Sequence, residues 1–318
     1  MTVTVIGCGR WGSCIAWYLD QIGHDVTLYG RKDSESLKCL MRDRKNEYIA
    51  LPDSIKLSCD TMCIKDAQTI IISINSQGLR NLCKELSLLE LENKIFVLCM
   101  KGIEQNTCKR LSEIMDECLP ASCKTAVWLG PGHVEEFYHG IQNCMVIDSK
   151  SESVKDFLIK EFSGGIIRFY YGTDLIGNEI GAAAKNVIGV AAGMLDGLGV
   201  SSLKGALMSR GSREIARLIA AAGGNELSAY GLCHLGDYQA TIFSPYSHNR
   251  KFGESYIKNE PFTKLAEGYY TVPALLSLAE KLNTELPICK AVYNVLYNNV
   301  PAQKELGALF ERTQKKEF

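Results

Sequence analysis

The six residues Gly7-Cys8-Gly9-Arg10-Trp11-Gly12 leave this chain few folds to choose from. They follow at once on a β-branched run, Thr2-Val3-Thr4-Val5-Ile6, and lead into helical spacing at residues 13–22. Gly23 and His24 then turn the chain into a second strand at residues 25–29. A G-x-G-x-x-G alone is common, but between a strand and a helix it has a mechanical sense. Its glycines make the tight turn, let a pyrophosphate approach the backbone and let the helix pack closely. The helix N-terminus then faces the phosphates with unpaired N–H groups. The chain therefore opens on a βαβ dinucleotide-binding unit, with Gly7, Gly9 and Gly12 as cofactor contacts.

The end of the second strand holds an acid when the ribose 2′-hydroxyl of NAD is the ligand. Here it reads Gly30-Arg31-Lys32-Asp33. The two cations favour a 2′-phosphate, and hence NADPH by a small margin, while Asp33 also suits NAD.

Further strands are expected at residues 69–74, 94–98, 125–129, 144–147 and 166–170, with amphipathic segments such as 76–87 and 106–118 between them. Continuous apolar strands alternating with helices mean a doubly wound, mainly parallel sheet covered on both faces. In such sheets ligands sit at the carboxyl ends of the strands, which draws attention to the segments around Ser76, Lys101 and Gly130-Pro131-Gly132-His133-Val134. From residue 173 onward strand signals stop. Helices are expected from 174 past 195, at 204–222, at 272–282 and at 288–298, interrupted by polar loops at 231–241 and 244–253. With 318 residues the chain exceeds one ordinary core, so the expected organisation is a Rossmann-type domain over residues 1–172 and an all-helical substrate domain over 173–318, with the cleft between them.

The middle of the chain carries the clearest chemical signal. In Asn178-Glu-Ile-Gly-Ala-Ala-Ala-Lys185-Asn186 one lysine sits among small and apolar residues, with no other charge between Glu179 and Asp196. A lysine held there loses water, so its pKa is free to fall toward what a proton carrier needs. Asn178, seven residues earlier, is expected on the same helix face. The same pattern also fits a core helix whose lysine snorkels out to water. A membrane span does not fit, because the uncharged runs beside Lys185 are too short.

A net charge of −1 excludes a general nucleic-acid binder and leaves small molecules as partners. The 13 cysteines are scattered, and Cys59-x-x-x-Cys63 lacks a second pair or a nearby histidine, so no metal site is expected. Scattered thiols without a signal peptide fit a reducing cytoplasm.

Taken in order, these blocks resemble the NAD(P)-dependent glycerol-3-phosphate dehydrogenases, the bacterial form in particular. The matching residues are Gly7-x-Gly9-x-Trp11-Gly12, Ser76-Gln77-x-Leu79-Arg80, Lys101-Gly-Ile-Glu104, Gly130-Pro131, Asn178-Glu-Ile-Gly-x-x-x-Lys185-Asn186, Asp196-Gly-Leu-Gly199, Gly236-Asp237, Asn249-Arg250-x-Phe-Gly253 and Glu267-Gly268. The resemblance implies interconversion of sn-glycerol 3-phosphate and dihydroxyacetone phosphate, in the direction that feeds phospholipid backbones, by a homodimer. It implies Lys185 as the proton carrier, Lys101 against substrate and cofactor, Asp237 and Thr241 in support, and Gly130 along the substrate; Gly132, also expected there, and His133 stand where the family tends to have a small hydroxyl residue and an aromatic. Ser247, His248 and Asn249 match the phosphate motif, with Arg250 next to them. Arg10, Trp11, Arg31 and Glu267 match cofactor contacts, and Lys32, Val134 and His248 are expected beside the cofactor with them. Lys101 would press the Lys185 pKa down, whereas Asp237, if close, would raise it.

One departure is chemical. His248 stands where the family has arginine, and it replaces a permanently charged bidentate fork with a ring that is largely neutral near pH 7. That substitution also admits a hydroxy compound without a phosphate, or a sensor that holds the dinucleotide without turnover.

Overall fold

The computed structural model describes residues 1–314 and residue 316. Its Cα positions fall into two units, Met1–Lys101 with Lys109–Glu179, and Gly102–Cys108 with the chain from Ile180 onward.

The first unit is built on a sheet of eight strands: β1 (Thr2–Ile6), β2 (Asp25–Tyr29), β3 (Lys56–Ser58), β4 (Thr69–Ile72), β5 (Ile95–Leu98), β6 (Lys124–Leu129), β7 (Asn143–Ser149) and β8 (Ile167–Tyr171). Their order is β3-β2-β1-β4-β5-β6-β7-β8, and every pairing is parallel except β6 with β7. All four residues of β4 are buried, as a strand covered on both faces requires. The helices are α1 (Arg10–Gln21), α2 (Glu35–Asp43), α3 (Met62–Asp66), α4 (Leu79–Ser87), α5 (Leu111–Cys118), α6 (Val134–Tyr138) and α7 (Glu152–Phe162). The strand order reverses between β1 and β4, where ligands of such sheets bind. Gly7 has φ +118°, and a Cβ there would lie 2.1 Å from the Ser73 carbonyl oxygen. A Cβ at Gly12 would lie 1.9 Å from the Gly7 carbonyl oxygen, so both positions admit glycine alone.

The second unit is helical: α8 (Leu175–Gly197, whose first turn counts with the sheet), α9 (Lys204–Ala221), α10 (His248–Lys258), α11 (Glu267–Lys281), α12 (Pro287–Tyr297) and α13 (Ala302–Phe310). Gly181, Gly189, Gly193 and Gly197 fall at four-residue intervals along α8, with Lys185 in the same row. Backbone packs directly on this row. Added Cβ atoms at Gly193 and, on α10, at Gly253 would lie 1.9 and 2.1 Å from the carbonyl oxygens of Arg250 and Val190. Pro273 sits inside α11 and leaves the Tyr269 carbonyl without its helical donor; the Tyr297 hydroxyl of α12 supplies the missing bond at 2.7 Å. Among the described residues no helix is long and apolar enough to cross a membrane.

Several elements differ from the sequence expectation. Residues 248–258 form α10 rather than a polar loop, because the Ser247 hydroxyl caps it by accepting the Arg250 N–H, and because Gly253 docks on α8. The expected helix at 106–118 begins only at Leu111, since Cys108 takes φ +63°. Helix α11 starts at Glu267, before the expected 272. Asn178 donates to Asp148 at 2.8 Å, so its amide serves the sheet unit. The short β3, α2 and α13 were not anticipated.

Glu214 on α9 is buried and caps α12, accepting the N–H groups of Ile288 and Cys289 at 2.8 and 3.0 Å. Burial pushes its carboxyl up to about 7. A folded-state value above the unfolded one means stability that is full below about pH 4.5 and lost as pH rises through about 7. Replacing Glu214 with Gln should therefore remove about one proton's worth of slope, ~1.4 kcal/mol per pH unit, between those limits. Urea melts across pH 5–8 of both proteins check this: parallel stability curves would rule the linkage out.

Candidate active site

In the sheet unit, the turn after β1 presents the start of α1. Gly9 is the N-cap and contributes no side chain, and a Cβ there would meet nothing within 4 Å. Packing does not demand that glycine. Its lack of a side chain instead leaves the first N–H groups of α1 open to an anion, as a pyrophosphate site requires. Arg10 is held by Glu135 at 2.5 Å and lies 5.1 Å over the Tyr48 ring, and Trp11 packs on Phe137 at 5.8 Å between ring centres. Val134, at the start of α6, is buried. Arg31 and Lys32 are exposed just after β2, with Arg31 3.8 Å from Asp33. The Lys101 amine, after β5, donates to the Gly130 carbonyl at 2.7 Å. Gly130 and Gly132 have φ of +133° and +147°, and a Cβ on Gly132 would strike the Phe137 ring. All these segments follow parallel strands, so the sheet gathers them along one edge.

In the helical unit, Lys185 projects from α8 onto two buried partners. Its amine lies 3.0 Å from Asp237 Oδ2 and donates to Thr241 Oγ1 at 2.7 Å. Lys185 is 9% exposed, and Asp237 and Thr241 are each 1% exposed, so the lysine does not snorkel into water. Asp237 ends a 3-10 turn, Leu235–Asp237, and Thr241 sits in a single π-helical turn, Gln239–Phe243. Such a turn re-aims side chains and recurs at functional sites. Gly189, one turn beyond Lys185, makes room for the Thr241 methyl group, which a Cβ would approach to 2.6 Å.

The phosphate-motif residues gather at the start of α10. Ser247 is buried as its N-cap. His248 is half-buried, edge-on to Phe262 at 6.4 Å. Asn249 uses both ends of its amide, donating to Asn186 Oδ1 at 3.1 Å and accepting the Gly268 N–H at 2.9 Å. That places Glu267, the first residue of α11, beside the Asn186 segment of α8. Arg250 points elsewhere: its guanidinium binds Asp196 at 2.8 Å, Glu254 at 2.9 Å and the Ser244 carbonyl at 3.2 Å.

Sequence reasoning missed His234 and Tyr238. The His234 ring is fully buried, with Nδ1 2.8 Å from the Gly181 carbonyl oxygen and Nε2 2.7 Å from the Tyr238 hydroxyl. Since a carbonyl only accepts, Nδ1 carries the hydrogen and Nε2 accepts from the phenol. Burial drives the ring's pKa down to about 4, against the opposing pull of the Gly181 bond and of Asp237. It is therefore neutral near pH 7. A single histidine in a loop has no periodicity, and the only trace was Gly181, whose Cβ would meet the His234 Cβ at 2.9 Å.

A separate cavity of about 670 Å³ is walled by Met194, Leu207, Ile288, Val292 and their neighbours on α8, α9, α12 and α13. None of the candidate cofactor or substrate contacts lines it.

Two family descriptions cover nearly the whole chain: the NAD-dependent glycerol-3-phosphate dehydrogenase N-terminus over residues 2–155 and its C-terminus over residues 174–306. The chain is 34% identical over 332 residues to glycerol-3-phosphate dehydrogenase [NAD(P)+] of Chlorobium phaeobacteroides, spanning 100% of this chain and 99% of that one. The counterpart in Fusobacterium nucleatum is likewise 34% identical, over 99% and 98% of the two chains. Among solved structures, glycerol-3-phosphate dehydrogenase from Coxiella burnetii superposes with a TM-score of 0.91 at 25% identity, over 98% of each chain.

Proposed function

Because the chain belongs to the family of NAD-dependent glycerol-3-phosphate dehydrogenases, we propose that it interconverts sn-glycerol 3-phosphate and dihydroxyacetone phosphate with NAD or NADP, running toward the alcohol that feeds glycerophospholipid synthesis. Residues 1–172 hold the dinucleotide in this reading, and residues 173–318 bind and protonate the substrate. The observation that carries it is the buried triad of Lys185, Asp237 and Thr241. A ketone oxygen gains negative charge as its carbon is reduced, and an ammonium held beside it both stabilises that charge and supplies the proton. Asp237 and Thr241 hold and aim the amine. When bound, the nicotinamide supplies the hydride. Gly7, Gly9 and Gly12 leave main-chain N–H groups for the pyrophosphate, with Arg10, Trp11, Val134 and Glu267 as further contacts. Arg31 and Lys32, exposed beyond β2, suit a 2′-phosphate. Lys101, Gly130 and Gly132 line the substrate, and Ser247, His248 and Asn249 take its phosphate at the start of α10, where helix N–H groups add to the attraction. Arg250 supports that turn through Asp196. We further infer a homodimer in the cytoplasm, which suits a chain with many free, buried thiols.

The test is initial rates with NADH and with NADPH against dihydroxyacetone phosphate. No oxidation of either cofactor would dispose of the reading. His248 favours one competitor, a hydroxy compound without phosphate, and equal turnover of phosphorylated and unphosphorylated substrates would support it. If phosphate is the ligand, His248→Arg should lower the KM for dihydroxyacetone phosphate about tenfold with little change in kcat, the gain of one charge-assisted pair. An unchanged or higher KM would place the phosphate elsewhere.

A further inference from the structure

The contacts around Lys185 close on themselves. Gly181 lies one helical turn before it on α8, and its carbonyl receives the His234 Nδ1–H. The His234 main-chain carbonyl in turn receives the Asp237 N–H at 3.0 Å, and Asp237 returns to the Lys185 amine. His234 is thus bonded through its side chain to the helix that carries the lysine, and through its main chain to the residue that carries the carboxylate. Tyr238 holds the far side of the ring and is itself fully buried. Only glycine at 181 lets the ring lie this close.

We propose that His234 is a positioning residue for proton transfer at Lys185, clamping the Asp237 turn to α8 so that carboxylate and amine keep their separation. The inference rests on the reading of Lys185 as the proton carrier. A neutral ring suits the task, since a second cation beside the amine would oppose its ammonium form. The ionisable groups facing the clamp are Lys185 and Asp237 on one side, and Cys289 and Glu214 behind Tyr238 on the other. Without the clamp the Asp237 turn is free to drift, and displacement of a catalytic group by about 1 Å is enough to cost about 100-fold in rate.

The experiment compares wild type, His234→Ala, Tyr238→Phe, Lys185→Ala and the Lys185→Ala/His234→Ala double variant in the reductive direction. His234→Ala should lower kcat about 100-fold while KM for dihydroxyacetone phosphate changes less than about threefold. Its alkaline kcat limb should move to lower pH, because the ammonium has lost its carboxylate. Tyr238→Phe removes one hydroxyl and should give a weaker effect of the same sign, about tenfold. In the Lys185→Ala background the histidine change should cost nothing more. Acetic anhydride labelling read by mass spectrometry should show Lys185 modified about tenfold faster, relative to the other lysines, in His234→Ala. Lowered melting temperatures with kcat, pH limb and labelling all within twofold of wild type would overturn the proposal, and so would losses that add in the double variant. If wild type itself fails to turn over, the functional reading fails while the labelling still decides whether His234 holds the pair together.

Discussion

Replacing Lys185 with Ala should reduce kcat for dihydroxyacetone phosphate by about 1,000-fold or more, with a much smaller change in KM. In the role proposed for Lys185, loss of the general acid accounts for about 100- to 10,000-fold, and loss of the ammonium beside the developing alkoxide adds to it. The substitution has a second effect that has to be separated from the first. Asp237 is 1% exposed, and removing the amine leaves a buried carboxylate without its cation, a loss of roughly 3–5 kcal/mol. Pairing Lys185→Ala with Asp237→Asn removes that charge, so the double variant should melt nearer to wild type yet stay inactive. Lys185→Arg keeps the charge but holds its proton too tightly to deliver it, and should also be slow. Steady-state rates beside thermal melts distinguish these outcomes. Near-normal turnover in Lys185→Ala would remove the lysine from the chemistry.

Exchange of one hydrogen for a methyl group at Gly193 should be among the most damaging changes available to the helical unit. Alanine is the better helix former by about 1 kcal/mol, so propensity alone predicts stabilisation. The added Cβ would lie 1.9 Å from the Arg250 carbonyl oxygen, a main-chain atom that no rotamer can withdraw. Helices α8 and α10 would have to separate, and Arg250, Asp196 and the start of α10 would move with them. We expect a loss of at least about 3 kcal/mol, at the upper end of overpacking costs. Gly205 on α9 is the control: a Cβ there meets nothing within 4 Å, so Gly205→Ala should be neutral or gain up to about 1 kcal/mol. Urea denaturation of the two variants beside wild type decides the matter, and equal stability for Gly193→Ala would mean that the two backbones do not pack this closely.

What could be read ahead of the structure follows a physical division. The glycine turn was legible because its signal is local: strand, turn and helix lie side by side, and two of its three glycines, Gly7 and Gly12, answer a steric demand within the fold. Lys185 stood out because a lone charge in an apolar helix needs a reason. His234 was illegible for the opposite cause, since its partners lie 53 residues away at Gly181 and one turn ahead at Tyr238, and only folding brings them together. The start of α10 was misread because Ser-His-Asn-Arg-Lys has the composition of a surface loop. Its helicity is decided by the Ser247 cap and by Gly253 resting on the Val190 carbonyl. Strand β3 spans three residues at the sheet edge, too short for any alternation to register.

Pro273 ties α11 to α12. By leaving the Tyr269 carbonyl to a phenol borrowed from α12, it makes α11 unable to complete its own ladder in isolation. Secondary structure and docking therefore coincide at that point: the middle of one helix is finished only when its neighbour arrives, and the two are bound to form and to melt as a single cooperative piece.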